Sequence, residues 1–194
     1  MKYRTILLFG SPGSGKGTQG KILGSIPGFF HCACGDVFRN LRIDDPLGKV
    51  FVDYSSRGLL VPDEPTIDLW SKNIQASTMD GQFSPERDTL VLDGIPRNPR
   101  QAEILKDTLD VKALINLTSA NQNQMTERLQ RRALRENRLD DANLDVIRQR
   151  LQTYERDTRP VLDYYGPALV HNVDSSQSPM KVLRDILDIV AKVH

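Results

Sequence analysis

Gly10-Ser11-Pro12-Gly13-Ser14-Gly15-Lys16-Gly17-Thr18 follows directly on the apolar run at 5–9 and leads straight into a helical pattern at 16–25. Strand, glycine-rich turn and helix in that order make an anion cradle. Glycines let the backbone turn its N–H groups inward, the helix amino end adds positive dipole, and Lys16 can reach the outer phosphates of a nucleotide. Gly13, Ser14, Gly15, Lys16, Gly17 and Thr18 are therefore the first candidate binding residues.

Further short apolar runs at 89–92, 111–117 and 168–173 read as buried strands, with Phe29-Phe30-His31 after Gly28 as a fifth. Helical patterns fill the intervals at 63–77, 99–109, 121–135, 144–165 and 179–193. The second of these opens on Pro99, and the first on Asp63-Glu64 behind Pro62, residues that suit a helix amino end. Strands alternating with helices imply a mostly parallel sheet covered on both faces. Two stretches break the rhythm. Residues 36–77 form a run of helices without a strand, read as an insert, and 134–143 form a short polar break, read as a minimal lid. The core is then 1–35, 78–133 and 144–194.

The 194 residues suit one compact domain, and 26 Lys+Arg against 25 Asp+Glu leave a net charge of only +1. No global field attracts nucleic acid or an anionic membrane, so a polyanion must be met by a local cluster. Only Cys32 and Cys34 occur, too close for a mutual disulfide of ordinary geometry, which points to a reducing compartment. No run is long or apolar enough for a signal core or a membrane span, so a cytoplasmic protein is expected.

The form Gly-x-Pro-Gly-x-Gly-Lys-Gly-Thr resembles the nucleoside monophosphate kinases, in particular the short-lid adenylate kinase family. The resemblance implies a P-loop NTPase-like fold, a five-stranded parallel sheet flanked by helices, with 36–77 as the arm that binds the acceptor monophosphate. Cys34-Gly35-Asp36-Val37-Phe38-Arg39 is similar to the family's Thr-Gly-Asp-x-x-Arg, which gives Arg39 the acceptor phosphate. The stretch Gly58-Leu59-Leu60-Val61 looks like the segment that flanks the acceptor base. Asp93-Gly94-Ile95-Pro96-Arg97 resembles Asp-Gly-aromatic-Pro-Arg, which places Arg97 on the same phosphate and Asp93 by the water shell of Mg²⁺. The hydroxyl stands at Thr18 rather than directly after Lys16, so no side chain is assigned as a metal ligand. Gln101, eight residues after Asp93, matches a glutamine that reads adenine, and an amide can donate and accept as that edge requires.

Between 128 and 159 the chain carries nine arginines. Arg128, Arg132 and Arg135 share one helical face, and Arg150 edges an apolar stripe of Leu144, Ile147, Leu151 and Tyr154. The resemblance assigns Arg128 and Arg132 to ATP, and Arg138 and Arg150 to the path of the transferred phosphoryl. Gln177 falls where backbone meets the ATP adenine. Arg131, Arg148, Arg156 and Arg159 read as surface charges paired along helices.

The implied activity is reversible, Mg²⁺-dependent transfer from ATP to AMP giving two ADP, carried by Lys16, Asp93, Arg97, Arg132, Arg138 and Arg150 in a monomer. A UMP/CMP kinase is the enzyme alternative, suggested by Asn98 and by cysteine at 34. A nucleotide-binding switch without transfer chemistry is the other. Cys34 either touches the base or fills a small buried space. His31, His171 and His194 lack metal-ligand spacing and read as packing or surface residues.

Overall fold

The computed structural model describes residues 2–42, 44–119, 121–136, 138, 141 and 143–193, and the backbone alone of Gln122. The expected lid at 134–143 falls partly on 137, 139, 140 and 142, and His194 on the last position, which lie outside the described residues.

Five strands, β1 (Tyr3–Gly10), β2 (Phe29–Ala33), β3 (Thr89–Asp93), β4 (Leu109–Thr118) and β5 (Val170–Asp174), form one parallel sheet in the order β2-β3-β1-β4-β5. Alternation along β1 sorts the core into two layers. Ile6 and Leu8 pack with Val91, Ile115 and Leu117 under α1 (Lys16–Leu23) and α9 (Pro179–Val193), which add Leu23, Val182, Ile186 and Val190. Leu7 and Phe9 pack with Leu90, Leu92 and Leu114 on the opposite face. There they meet Phe38 of α2 (Cys34–Arg39), Trp70 and Ile74 of α4 (Asp63–Met79), Leu105 of α5 (Pro99–Leu105) and Val161 of α8 (Pro160–Tyr165). Both faces are buried, so the strands read as continuous apolar runs, as a parallel sheet requires. The remaining helices are α3 (Pro46–Ser56), α6 (Gln122–Glu136) and α7 (Leu144–Thr153).

Two helices differ from their sequence patterns. The pattern at 99–109 ends at Leu105, because the turn bonded from Thr108 N–H to Leu105 O hands Leu109 to β4. The pattern at 144–165 is broken by a π-helical turn, Tyr154–Thr158, ahead of Pro160, which lacks the N–H a continuous helix needs and instead opens α8. Leu144, expected in the buried stripe, is 45 % exposed, whereas Ile147 is fully buried. His31 packs against α1, where only glycine fits: a Cβ on Gly20 would lie 2.3 Å from its Nε2. Among the described residues no helix is long and apolar enough to cross a membrane.

Candidate active site

Leu8 of β1 and Ala33 of β2 are both paired with Asp93 of β3, so the carboxyl ends of these strands open together. The chain leaves β1 towards β2 on one side and crosses from β3 to β4 on the other, which makes this edge a topological switch point, where α/β folds form their crevices. A cleft of ≈ 810 Å³ lies there.

Its floor is the loop after β1. Gly10 adopts φ +134°, and a Cβ there would stand 2.5 Å from Leu117 O; Gly13 adopts φ +85°, with Met125 O at 2.7 Å. Side chains are excluded at both positions, and the backbone turns into the cleft. Ser14, Gly15, Gly17 and the exposed Thr18 complete this wall. Lys16 Nζ donates to Gly10 O at 2.6 Å and Ser11 O at 3.2 Å, folded back on its own loop. Burial pulls its pKa down to about 8; Asp93 opposes the drop, and Arg132, Arg97 and Arg150 add to it. Ser14 Oγ is buried with no partner among the described residues, as occurs at functional sites whose ligand completes the bonding.

Beyond the ends of β2 and β3 lie Cys34, Arg39, Leu59, Leu60, Val61, Gly94, Arg97 and Gln101. Arg97 Nε donates to Gly94 O at 2.8 Å, and Arg39 Nη1 donates to Asp36 Oδ1 at 2.9 Å. Gln101 Oε1 accepts from Arg97 N–H at 2.7 Å, and its Nε2 donates to Asp63 Oδ1 at 2.8 Å. Asn98 caps α5 by accepting from Gln101 N–H at 2.7 Å and donates to Asp63 at 2.8 Å. Both ends of its amide serve local structure. The buried Cys34 thiol is pushed up to about 11 by burial, against weaker opposition from Arg97 and Arg39.

On the β4 and β5 side the cleft meets Arg128, which donates to Ser175 O at 3.0 Å, and Gln177, whose amide turns to Asp174 O and Asp185. Between the two sides stand three further guanidinium groups. Arg132 Nε donates to Asp141 Oδ2 at 2.7 Å, Arg150 Nη1 donates to Asp141 Oδ1, and Arg138 Nη2 donates to Asp36 Oδ1 at 3.3 Å. Arg138 Nε also lies 2.6 Å from Glu136. A cleft lined by so many cations, with a phosphate-type loop as its floor, is chemically fitted to two polyanions meeting end to end.

Every site residue named from the sequence lines this one cleft. Sequence reasoning missed the carboxylates that hold the arginines. Asp141 is fully buried between Arg132 and Arg150, and Asp36 joins Arg39 to Arg138. For Asp141 the signal was an acidic residue inside an arginine-rich stretch, and Asp36 stood in the quoted motif three residues before Arg39. Arg131, Arg148, Arg156 and Arg159 pair on the surface with Glu127, Asp145, Asp157 and Glu155.

The family model described as adenylate kinase matches residues 8–169. The chain is similar to the adenylate kinase of Parabacteroides distasonis, 37 % identical over 166 residues that cover 82 % of this chain and 83 % of that one. The adenylate kinase of Cyanothece sp. is 36 % identical over 192 residues, covering 95 % and 94 %. That of Borrelia recurrentis is 30 % identical over 218 aligned positions, covering 97 % of each. With a match across most of its length and a phosphate loop at a parallel-sheet switch point, the chain belongs to the adenylate kinase family.

Proposed function

We propose that the protein transfers the γ-phosphoryl group of ATP to AMP, reversibly, giving two ADP. The observation that carries the reading is the layout of the cleft: one phosphate loop in the middle, with Arg39 and Arg97 on the β2/β3 side and Arg128 on the β4/β5 side. ATP takes the loop and the β4/β5 side, AMP the β2/β3 side. Its base meets Leu59, Leu60, Val61 and Gln101, and its phosphate meets Arg39 and Arg97.

An AMP phosphate oxygen, already anionic at neutral pH, attacks the γ-phosphorus in line while the bond to the β,γ-bridging oxygen breaks. No general base is required. Lys16, Arg132, Arg138 and Arg150 neutralise charge as it shifts from one tail to the other; preorganised donors of this kind contribute about 3–4 kcal/mol each. Mg²⁺ suits the site, because it keeps most of its waters and needs few carboxylates, and Asp93 lies beside Lys16 and Gly17. Bound with ATP, it would supply charge neutralisation at the phosphates, and Asp93 is the residue that would hold it through water.

Water has to be excluded, or ATP would be hydrolysed. We assign that task to the insert at 36–77 and the lid at 134–143, closing over the cleft. All these cationic groups come from one chain, which suits a monomer, and the free thiols of Cys32 and Cys34 suit a reducing compartment. Asn98, one of the two residues that suggested a pyrimidine acceptor, does not line the cleft and is engaged by α5 and Asp63, so it offers no support for that alternative.

A coupled assay across AMP, CMP, UMP and GMP tests the reading, with AMP expected to lead in kcat/KM. Preference for CMP or UMP overturns the base assignment. A dinucleoside pentaphosphate that binds no tighter than ATP overturns the two-nucleotide cleft.

A further inference from the structure

The Gln101 side chain has two chemically opposite ends, and the fold bonds both. Oε1 accepts from Arg97 N–H at 2.7 Å, and Nε2 donates to Asp63 Oδ1 at 2.8 Å. A backbone N–H only donates and an aspartate carboxylate only accepts, so the amide has a single favourable orientation. Flipped, it would set oxygen against carboxylate and NH₂ against N–H. Asp63 is itself held in place. Its Oδ1 accepts a second bond from Asn98 Nδ2 at 2.8 Å, Arg100 Nε lies 4.0 Å from Oδ2, and its position in the first turn of α4 suits a carboxylate. Each end of the Gln101 amide retains one hydrogen-bonding valence, and Gln101 lines the cleft while Asp63 does not.

We propose that Asp63 is the positioning residue that sets acceptor-base choice, by fixing which end of the Gln101 amide donates and which accepts. Adenine presents a 6-amino donor beside the N1 acceptor; a 6-oxopurine presents the reverse, an O6 acceptor beside an N1–H donor. An amide held in one orientation complements the first edge and opposes the second. One free to flip complements either. The inference rests on the reading that Gln101 meets the acceptor base.

The test is steady-state kinetics with AMP and IMP as acceptors for the wild type, Asp63→Ala, Asp63→Asn and Gln101→Ala, with the KM for ATP and thermal unfolding measured alongside. Asp63→Ala raises the KM for AMP and narrows the AMP-over-IMP ratio of kcat/KM, each by about tenfold, because Arg97 N–H alone still opposes the flip. The KM for ATP stays near the wild-type value. Asp63→Asn retains most of the preference, since its amide oxygen accepts in the same place. Gln101→Ala loses the ratio altogether. If Asp63→Ala keeps the wild-type ratio while Gln101→Ala loses it, the proposal falls and the reading of Gln101 stands. If Gln101→Ala also keeps the ratio and the KM for AMP, that reading falls and the proposal with it. A lowered melting temperature with equal loss of kcat for both acceptors, and the ratio unchanged, marks Asp63 as merely structural and also overturns the proposal.

Discussion

Asp36 Oδ1 lies 3.3 Å from Arg138 Nη2, a contact across 102 residues that ties α2 to the segment following α6. The same oxygen accepts from Arg39 at 2.9 Å, so one carboxylate links an acceptor-side arginine to one from the expected lid.

The Asp36 side chain is 36 % exposed, and water screens the pair. Asp36→Asn is therefore expected to lower unfolding stability by no more than about 1 kcal/mol. Urea denaturation measures this; a loss well above that bound would mean the tie is structural rather than a holding contact for groups that phosphate later engages.

Asp141 is in a different environment. Its carboxylate is wholly buried and carries both Arg132 and Arg150. Asp141→Ala removes the buried carboxylate that both guanidinium groups share and is expected to cost about 3–5 kcal/mol in the same experiment. Because the two arginines also lose their aim, kcat should fall on the order of a hundredfold. Wild-type turnover in a folded Asp141→Ala protein would remove Asp141 from the positioning of the site.

Lys16 supplies a pH test. Burial lowers its pKa to about 8, and an ATP phosphate beside it favours the charged form, so binding draws a proton back above that pH. The Kd for ATP should be flat below about pH 8 and weaken above it, approaching tenfold per pH unit. Calorimetric titration from pH 6.5 to 9.5, values chosen to bracket about pH 8, measures it. Lys16→Arg, though weaker in binding, should show no such bend, because a guanidinium keeps its proton throughout.

The Cys34 thiol, moved from 9.0 to about 11 by burial, is expected to be inert despite facing the cleft. Its thiolate fraction at neutral pH is lower by about a hundredfold than for an ordinary thiol. Cys32, pushed up to about 12 by burial, should behave alike. Labelling with an aromatic disulfide reagent should be slower by at least about a hundredfold in the folded protein than in urea. Rapid labelling of the native chain would show that the acceptor side opens to solvent far more than its burial indicates.

Much of the molecule was written locally. The run from Gly10 to Thr18 specified strand, turn and helix, because the backbone demand at Gly10 and Gly13 and the reach of Lys16 are short-range constraints. The apolar runs named all five strands, since burial on both faces leaves a chain little else to be. Errors came where a neighbour in sequence or space overrode the pattern, as with Pro160 inside the helical stretch and Leu109 claimed by the sheet.

Side-chain partners were another matter. Helical spacing foretold the exposed pairs of Arg131, Arg148 and Arg159, because residues three or four apart are neighbours in any helix. It was silent on Asp141 between Arg132 and Arg150, Asp36 against Arg138, and Asp63 behind Gln101. Those pairs span up to 102 residues, and their existence depends on how α2, α4, α6 and α7 pack around the sheet. The phosphate loop and the parallel core follow from the residues alone, through rules that act within a turn or two of chain. Which carboxylate holds each arginine, and which way the Gln101 amide faces, follows from how the elements pack, because hydrogen-bond geometry is set by distances through space.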